Sequence, residues 1–126
     1  MQMQDKIVIN DYIENDPLSE ENLDKTLEAA NKIRLSFPNK SIWIYSGYSW
    51  DQLIEEYNQY KYTPFNIDAD KWLTRYEIIS KCDVMVDGRY IDSQRNPSKK
   101  WAGSDNQKVV NIRQSLQQNK IILWCN

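Results

Sequence analysis

Asp83-Val-Met-Val-Asp-Gly88, followed after a long charged segment by Gly103-Ser-Asp-Asn-Gln107, decides how this chain folds. Val84, Met85 and Val86 are apolar without alternation. Both faces of such a strand must be covered, which is the pattern of a buried parallel strand. Asp87-Gly88 supplies turn chemistry at its C-terminal end. Gly103, Ser104 and Asp105 are expected to open a helix over about 105–117, with Val109, Val110, Ile112 and Leu116 as its apolar positions.

Working outward, Ser41-Ile-Trp-Ile-Tyr45 is β-branched and aromatic and reads as a second strand, with Gly47 at its turn. Ser49 can cap a helix running to about Tyr60, with Trp50, Leu53, Ile54 and Tyr57 on its apolar face. Residues 61–70 read as a loop interrupted by Pro64. A further helix is expected over about 69–81, with Trp72, Tyr76 and Ile79 inward. Upstream, Lys6-Ile-Val-Ile-Asn10 begins a strand expected to reach toward Ile13, and Asn15-Asp-Pro17 is a turn. Ser19 caps the next helix, whose stripe is Leu23, Leu27, Ala30 and Ile33 and which ends at Pro38-Asn39. Residues 88–103 form a loop of a length that is usually functional or mobile. Lys120-Ile-Ile-Leu-Trp124 is expected to close the chain as a strand. Strands alternating with helices imply an α/β fold with parallel pairing through right-handed crossovers.

Length and composition narrow the function. A chain of 126 residues with 40% hydrophobic content suits a single domain over 1–126. A net charge of −2 leaves no basic excess to neutralise phosphates, which argues against nucleic acid as a partner. No apolar run approaches the roughly 18 residues needed to span a bilayer, so no membrane partner is expected. Histidine is absent, which removes the usual neutral-pH base and His–metal sites. Cys82 and Cys125 are far apart and beside apolar residues, so both are expected to be buried thiols. The N-terminus lacks the regions of a signal peptide, and a reducing cytoplasm fits best.

Four stretches together carry a resemblance: Glu14-Asn-Asp-Pro-Leu18, Lys40-Ser-Ile-Trp-Ile-Tyr-Ser-Gly-Tyr48, Val86-Asp-Gly88 and Trp101-Ala-Gly-Ser-Asp-Asn-Gln107. In that order and at that spacing, the chain resembles the C-terminal part of the radical S-adenosylmethionine (SAM) activases of anaerobic ribonucleotide reductase, over roughly residues 15–124. The resemblance implies a partial (truncated) β/α barrel of about four mostly parallel strands with helices on one face. It also implies a 4Fe-4S cluster and SAM as cofactors. The family's cluster sits on three closely spaced cysteines upstream, whereas this chain has two distant ones, so no cofactor is expected here. Glu14 and Asn15 stand where the family's SAM-contacting turn has two glycines, which let a backbone approach a ligand closely.

The resemblance marks Asp16, Gly47, Asp87, Ser104, Asn106 and Gln107 as vestigial SAM-site positions. No residue is assigned a catalytic role and no metal ligand is expected. The function expected is therefore that of a catalytically inactive relative acting by protein binding, a regulator or inhibitor of the kind mobile elements encode. The alternatives are the C-terminal half of a split activase, working with a separate cysteine-bearing chain, and an independent enzyme of unknown chemistry. The partner is expected to be the reductase, another host protein, or a second copy. An unpaired strand edge near 7–13 is the expected contact, and a charge at Ile9 is expected to disrupt association.

Overall fold

The computed structural model describes residues 5–63 and 66–125. Its elements run β1 (Lys6–Val8), α1 (Leu23–Ser36), β2 (Ser41–Ser46), α2 (Trp50–Tyr60), α3 (Ile67–Ser80), β3 (Val84–Asp87), β4 (Lys108–Asn111) and α4 (Ile112–Gln118). The four strands lie side by side in sequence order. β1 pairs parallel to β2 and β2 parallel to β3, with Trp43 opposite Val8 and Val84. β3 pairs antiparallel to β4. The result is an open, mostly parallel α/β sheet, consistent with part of a barrel. Among the described residues no helix is long and apolar enough to cross a membrane.

Alternation along the strands divides the core in two. Ile42, Ile44, Met85 and Val110 face the helices, where they meet Ala30, Ile33, Leu53, Ile78 and Ile79. Trp43, Val84 and Val86 face the other way, with Val8, Tyr45 and Val109 at the margin. Trp101 and Trp124 cover that second face; each ring meets Trp43 edge-on, at 5.2 and 5.7 Å between centres. The inner face that a half barrel would leave open is thus closed by the chain itself.

Several expected elements change. The first strand stops at Val8, and a 3-10 turn over Ile9–Asp11 follows. Ile9 is fully buried there, so a charge at Ile9 would break the core rather than an interface. Ser19 does not cap the following helix with its hydroxyl; it donates to the Asp16 carbonyl at 2.8 Å. α3 begins at Ile67 because the Asn66 side chain accepts the amides of Asp68 and Ala69. Pro64 lies outside the described residues. The helix expected over 105–117 is instead β4 followed by a short α4, with Asn111 as its cap. The closing strand is reduced to one bridge, Leu123 to Val110. Cys82 is buried as expected, but Cys125 is exposed.

Candidate functional site

The C-terminal ends of β1, β2 and β3 meet at one edge, where open α/β sheets place ligands. A shallow cleft of about 290 Å³ lies there, lined by Asn10, Asp16, Tyr45, Gly47, Arg89 and Gln107 among others. Asp87, Ser104 and Asn106 do not line it.

Asp16 fastens the 14–18 turn to the end of β2. Its carboxylate accepts the Leu18 amide at 2.9 Å, the Gly47 amide at 2.7 Å and the Ser46 hydroxyl at 2.8 Å. From the other side Asn22 donates to the carbonyls of Glu14 and Asp16, and Thr26 donates to that of Pro17. Asn15 adopts φ +64°, a left-handed conformation that asparagine tolerates better than most residues. The turn therefore keeps a glycine-like backbone at that position without glycine. Gly47 allows a close approach: a Cβ there would lie 3.2 Å from Arg89 Cγ and 3.3 Å from Asp16 Oδ2, so both side chains would have to shift. The Arg89 side chain crosses the cleft at that point.

Asp87 is 1% exposed and holds two elements. Oδ2 accepts the Trp50 amide at 2.6 Å, at the start of α2, and Oδ1 accepts the Lys108 amide at 2.8 Å, in β4. Gly88 follows at φ +84°, which only glycine adopts readily. The loop beyond is closed by its own amides. Gln107 donates to the Gly88 carbonyl at 3.0 Å and accepts the amides of Gly103 and Ser104. Asn106 donates to the Arg89 carbonyl at 2.7 Å and accepts the Ser104 hydroxyl at 2.6 Å. Since no helix starts at Ser104, no helix N-terminus presents amides to an anion there. Lys99, half-buried in this loop, donates to the carbonyls of Asp105 and Gln107.

Two groups escaped the sequence. Arg75 is 4% exposed, donates to the Leu18 carbonyl at 2.8 Å, and lies 4.6 Å from the Tyr48 ring centre and 4.5 Å from that of Trp72. Its place inside the apolar face of α3 gave no signal. Asp83 accepts from Arg34, Arg113 and the Ile42 amide. Burial pushes its carboxyl upward, but these donors outweigh burial and hold it below the usual carboxylate range.

With this geometry in place, comparison with known proteins identifies the relationship. Residues 14–110 match the 4Fe-4S single cluster domain family. The chain belongs to that family. It is similar to the anaerobic ribonucleoside-triphosphate reductase-activating protein of Escherichia coli K12, with 29% identity over 98 residues, 78% of this chain and 52% of the relative. The proteins of the same name from Vibrio cholerae and Enterobacteria phage T4 are each 30% identical, over 75% of this chain and 49% and 47% of their own lengths. The chain spans about half the length of the curated relatives it matches. No solved structure matches it significantly.

The family's name implies a cluster, and the thiols described do not fit one. Cys82 is fully buried in the helical core, where burial pushes it up to about 12, and Cys125 is exposed at the C-terminal end. Among the described residues no group of three or more His, Cys, Asp or Glu could hold a metal ion. The SAM-site positions fit poorly as well, because Asp16 already takes the Gly47 amide and Arg89 lies across that glycine.

Proposed function

We propose that this chain is a protein-binding relative of the reductase activases that cleaves no SAM itself. The observation that supports this best is the internal engagement of the candidate polar groups. Asp16, Asp87, Ser104, Asn106 and Gln107 each bond to other parts of the chain, and the cleft that Asp16 and Gln107 line is shallow. Among the described residues, β1 (Lys6–Val8) lies at the edge of the sheet and pairs with β2 alone. An edge of this kind takes a strand from another polypeptide. The partner favoured is a polypeptide of the reductase-activating system, in keeping with the names of the relatives.

A second reading, the C-terminal half of a split activase, draws support from the same edge. In a mostly parallel sheet with β1 at its edge, a further βα unit would add its strand beyond β1. SAM binding separates the two readings. Calorimetry of the chain alone and with its partner is expected to show no saturable heat at millimolar SAM. A dissociation constant in the low micromolar range, about −8 kcal/mol, overturns the inactive reading and favours the split enzyme. A chain that sediments as a monomer at high concentration, and that recovers no partner from its host, overturns both.

A further inference from the structure

Arg75 is a buried charge that the fold satisfies only in part. Its Nε donates to the Leu18 carbonyl at 2.8 Å, and its Cζ lies 4.6 Å from the Tyr48 ring centre and 4.5 Å from that of Trp72. Charged side chains are seldom buried this far without a partner of opposite sign. Every ion pair among the described residues lies elsewhere. Glu20 is near, but its carboxylate pairs with Lys71 Nζ at 2.8 Å; Lys71 holds that carboxyl below its usual range, and Arg75 adds the smallest share. Among the described residues no acceptor meets the Nη1 or Nη2 groups of Arg75, whose one hydrogen bond is through Nε. Those nitrogens are not sealed in either: the side-chain polar atoms buried without a partner are the indole nitrogens of Trp101 and Trp124. The Nη edge therefore reaches solvent while the rest of the group is enclosed.

We propose that Arg75 and Lys71 form an oxyanion site beside the 14–18 turn, taking a carboxylate or a phosphate on the Nη edge. This goes beyond the protein-binding reading and does not depend on the strand edge. Nη1 and Nη2 are donors that grip such groups in a bidentate fork. The two rings and the bond to Leu18 already fix the guanidinium in one orientation, so little ordering remains to be lost on binding. Enclosure lowers the local dielectric and strengthens the attraction for an anion. Lys71 lies one helical turn before Arg75 on α3 and brings a second cation to the same face. Glu20 opposes them: it engages Lys71 and repels an incoming anion. Two cations against one carboxylate leave a net positive site, and the Glu20 side chain is exposed enough to turn away.

The test follows the Arg75 Nε–H and the Trp72 indole N–H by nitrogen-15 NMR of the full chain. Inorganic phosphate and sodium acetate are the probes, each added against chloride at equal ionic strength. The expected result is a saturable shift at both signals that chloride does not reproduce. Lys71→Gln is expected to weaken the response by about 1.5- to 5-fold, the range one exposed ion pair spans, and Glu20→Gln to tighten it by a similar factor. Opposite changes in these two surface variants mark an anion site and need no substitution in the core. Arg75→Lys keeps the charge but loses the fork, and is expected to abolish the shift at Trp72 while circular dichroism stays that of the parent; if it unfolds, the two surface variants decide. The site stands whichever probe binds more tightly: acetate then points to an acidic side chain of a polypeptide, phosphate to a free phosphate group. A shift that chloride reproduces, saturation by neither probe, or surface variants that both leave the response unchanged overturns the oxyanion site and leaves the protein-binding reading standing.

Discussion

Replacing Asp87 by alanine removes an acceptor shared by two backbone amides, one buried and one part-buried. The Trp50 amide donates to one oxygen at 2.6 Å and the Lys108 amide to the other at 2.8 Å. A hydrogen bond to a charged acceptor contributes roughly 1.5–3 kcal/mol. Two such bonds sum to about 3–6 kcal/mol, and alanine has no atom to offer in return. Some relaxation of the α2 start toward solvent lowers the expected loss to about 3 kcal/mol. For a domain of this size that is a fall in Tm of about 10–15 °C. Asp87→Asn keeps one oxygen but turns an NH2 toward the other amide, so it is expected to lose about 2 kcal/mol. Urea unfolding followed by circular dichroism and by tryptophan fluorescence gives both values. An alanine variant within about 1 kcal/mol of the parent, at unchanged slope, refutes the scaffolding role and returns Asp87 to the list of ligand-binding groups.

Asp83 sets part of the acid limb. Its carboxyl is held below the value it takes unfolded, so its contribution is full above about pH 4 and is lost as pH falls through the folded value. The urea midpoint is expected to drop over that window in the parent and to drop less in Asp83→Asn; an identical acid limb refutes the ion-pair account. Thiol labelling should modify Cys125 in the folded protein and Cys82 only after unfolding, given their exposure and the raised Cys82 thiol; equal rates at both would contradict the packing. Asn15→Ala is expected to lose about 1 kcal/mol because alanine resists the left-handed backbone, while Asn15→Gly stays near the parent. Equal melting temperatures for the two variants would mean that this φ is not held in solution.

Where local chemistry decides structure, the sequence was readable. Ser49 caps α2 by accepting the Gln52 amide, and the helix ends at Tyr60 as its apolar spacing requires. β2 and β3 carry the β-branched and aromatic runs of buried strands and form as expected. The failure over 105–117 has a physical cause. Val109 and Val110 fit a helical stripe with Ile112 and Leu116, yet two adjacent β-branched residues suit a strand equally well. The antiparallel partner that decides between them is β3, distant in sequence. Asn111 then caps the helix by accepting the Gln114 amide. The cover over the inner face was not readable either, because nothing local connects Trp43 to Trp101.

The candidate site shows why motif likeness is weaker evidence for chemistry than for fold. Its members bond chiefly to one another's segments. The turn of Glu14–Leu18 is fastened through Asp16 to Ser46 and Gly47. The strand end at Gly88 is fastened to Gln107, and Asp87 joins α2 to β4. A chain that kept only the need to fold this half sheet would still require these residues at these spacings. Among the described residues, Glu14 joins the network through its backbone carbonyl, which accepts from Asn22. The resemblance to the activases implies a glycine at that position, where a ligand could approach closely. The internal bonding of the other positions supports the proposed reading, in which they hold the scaffold together.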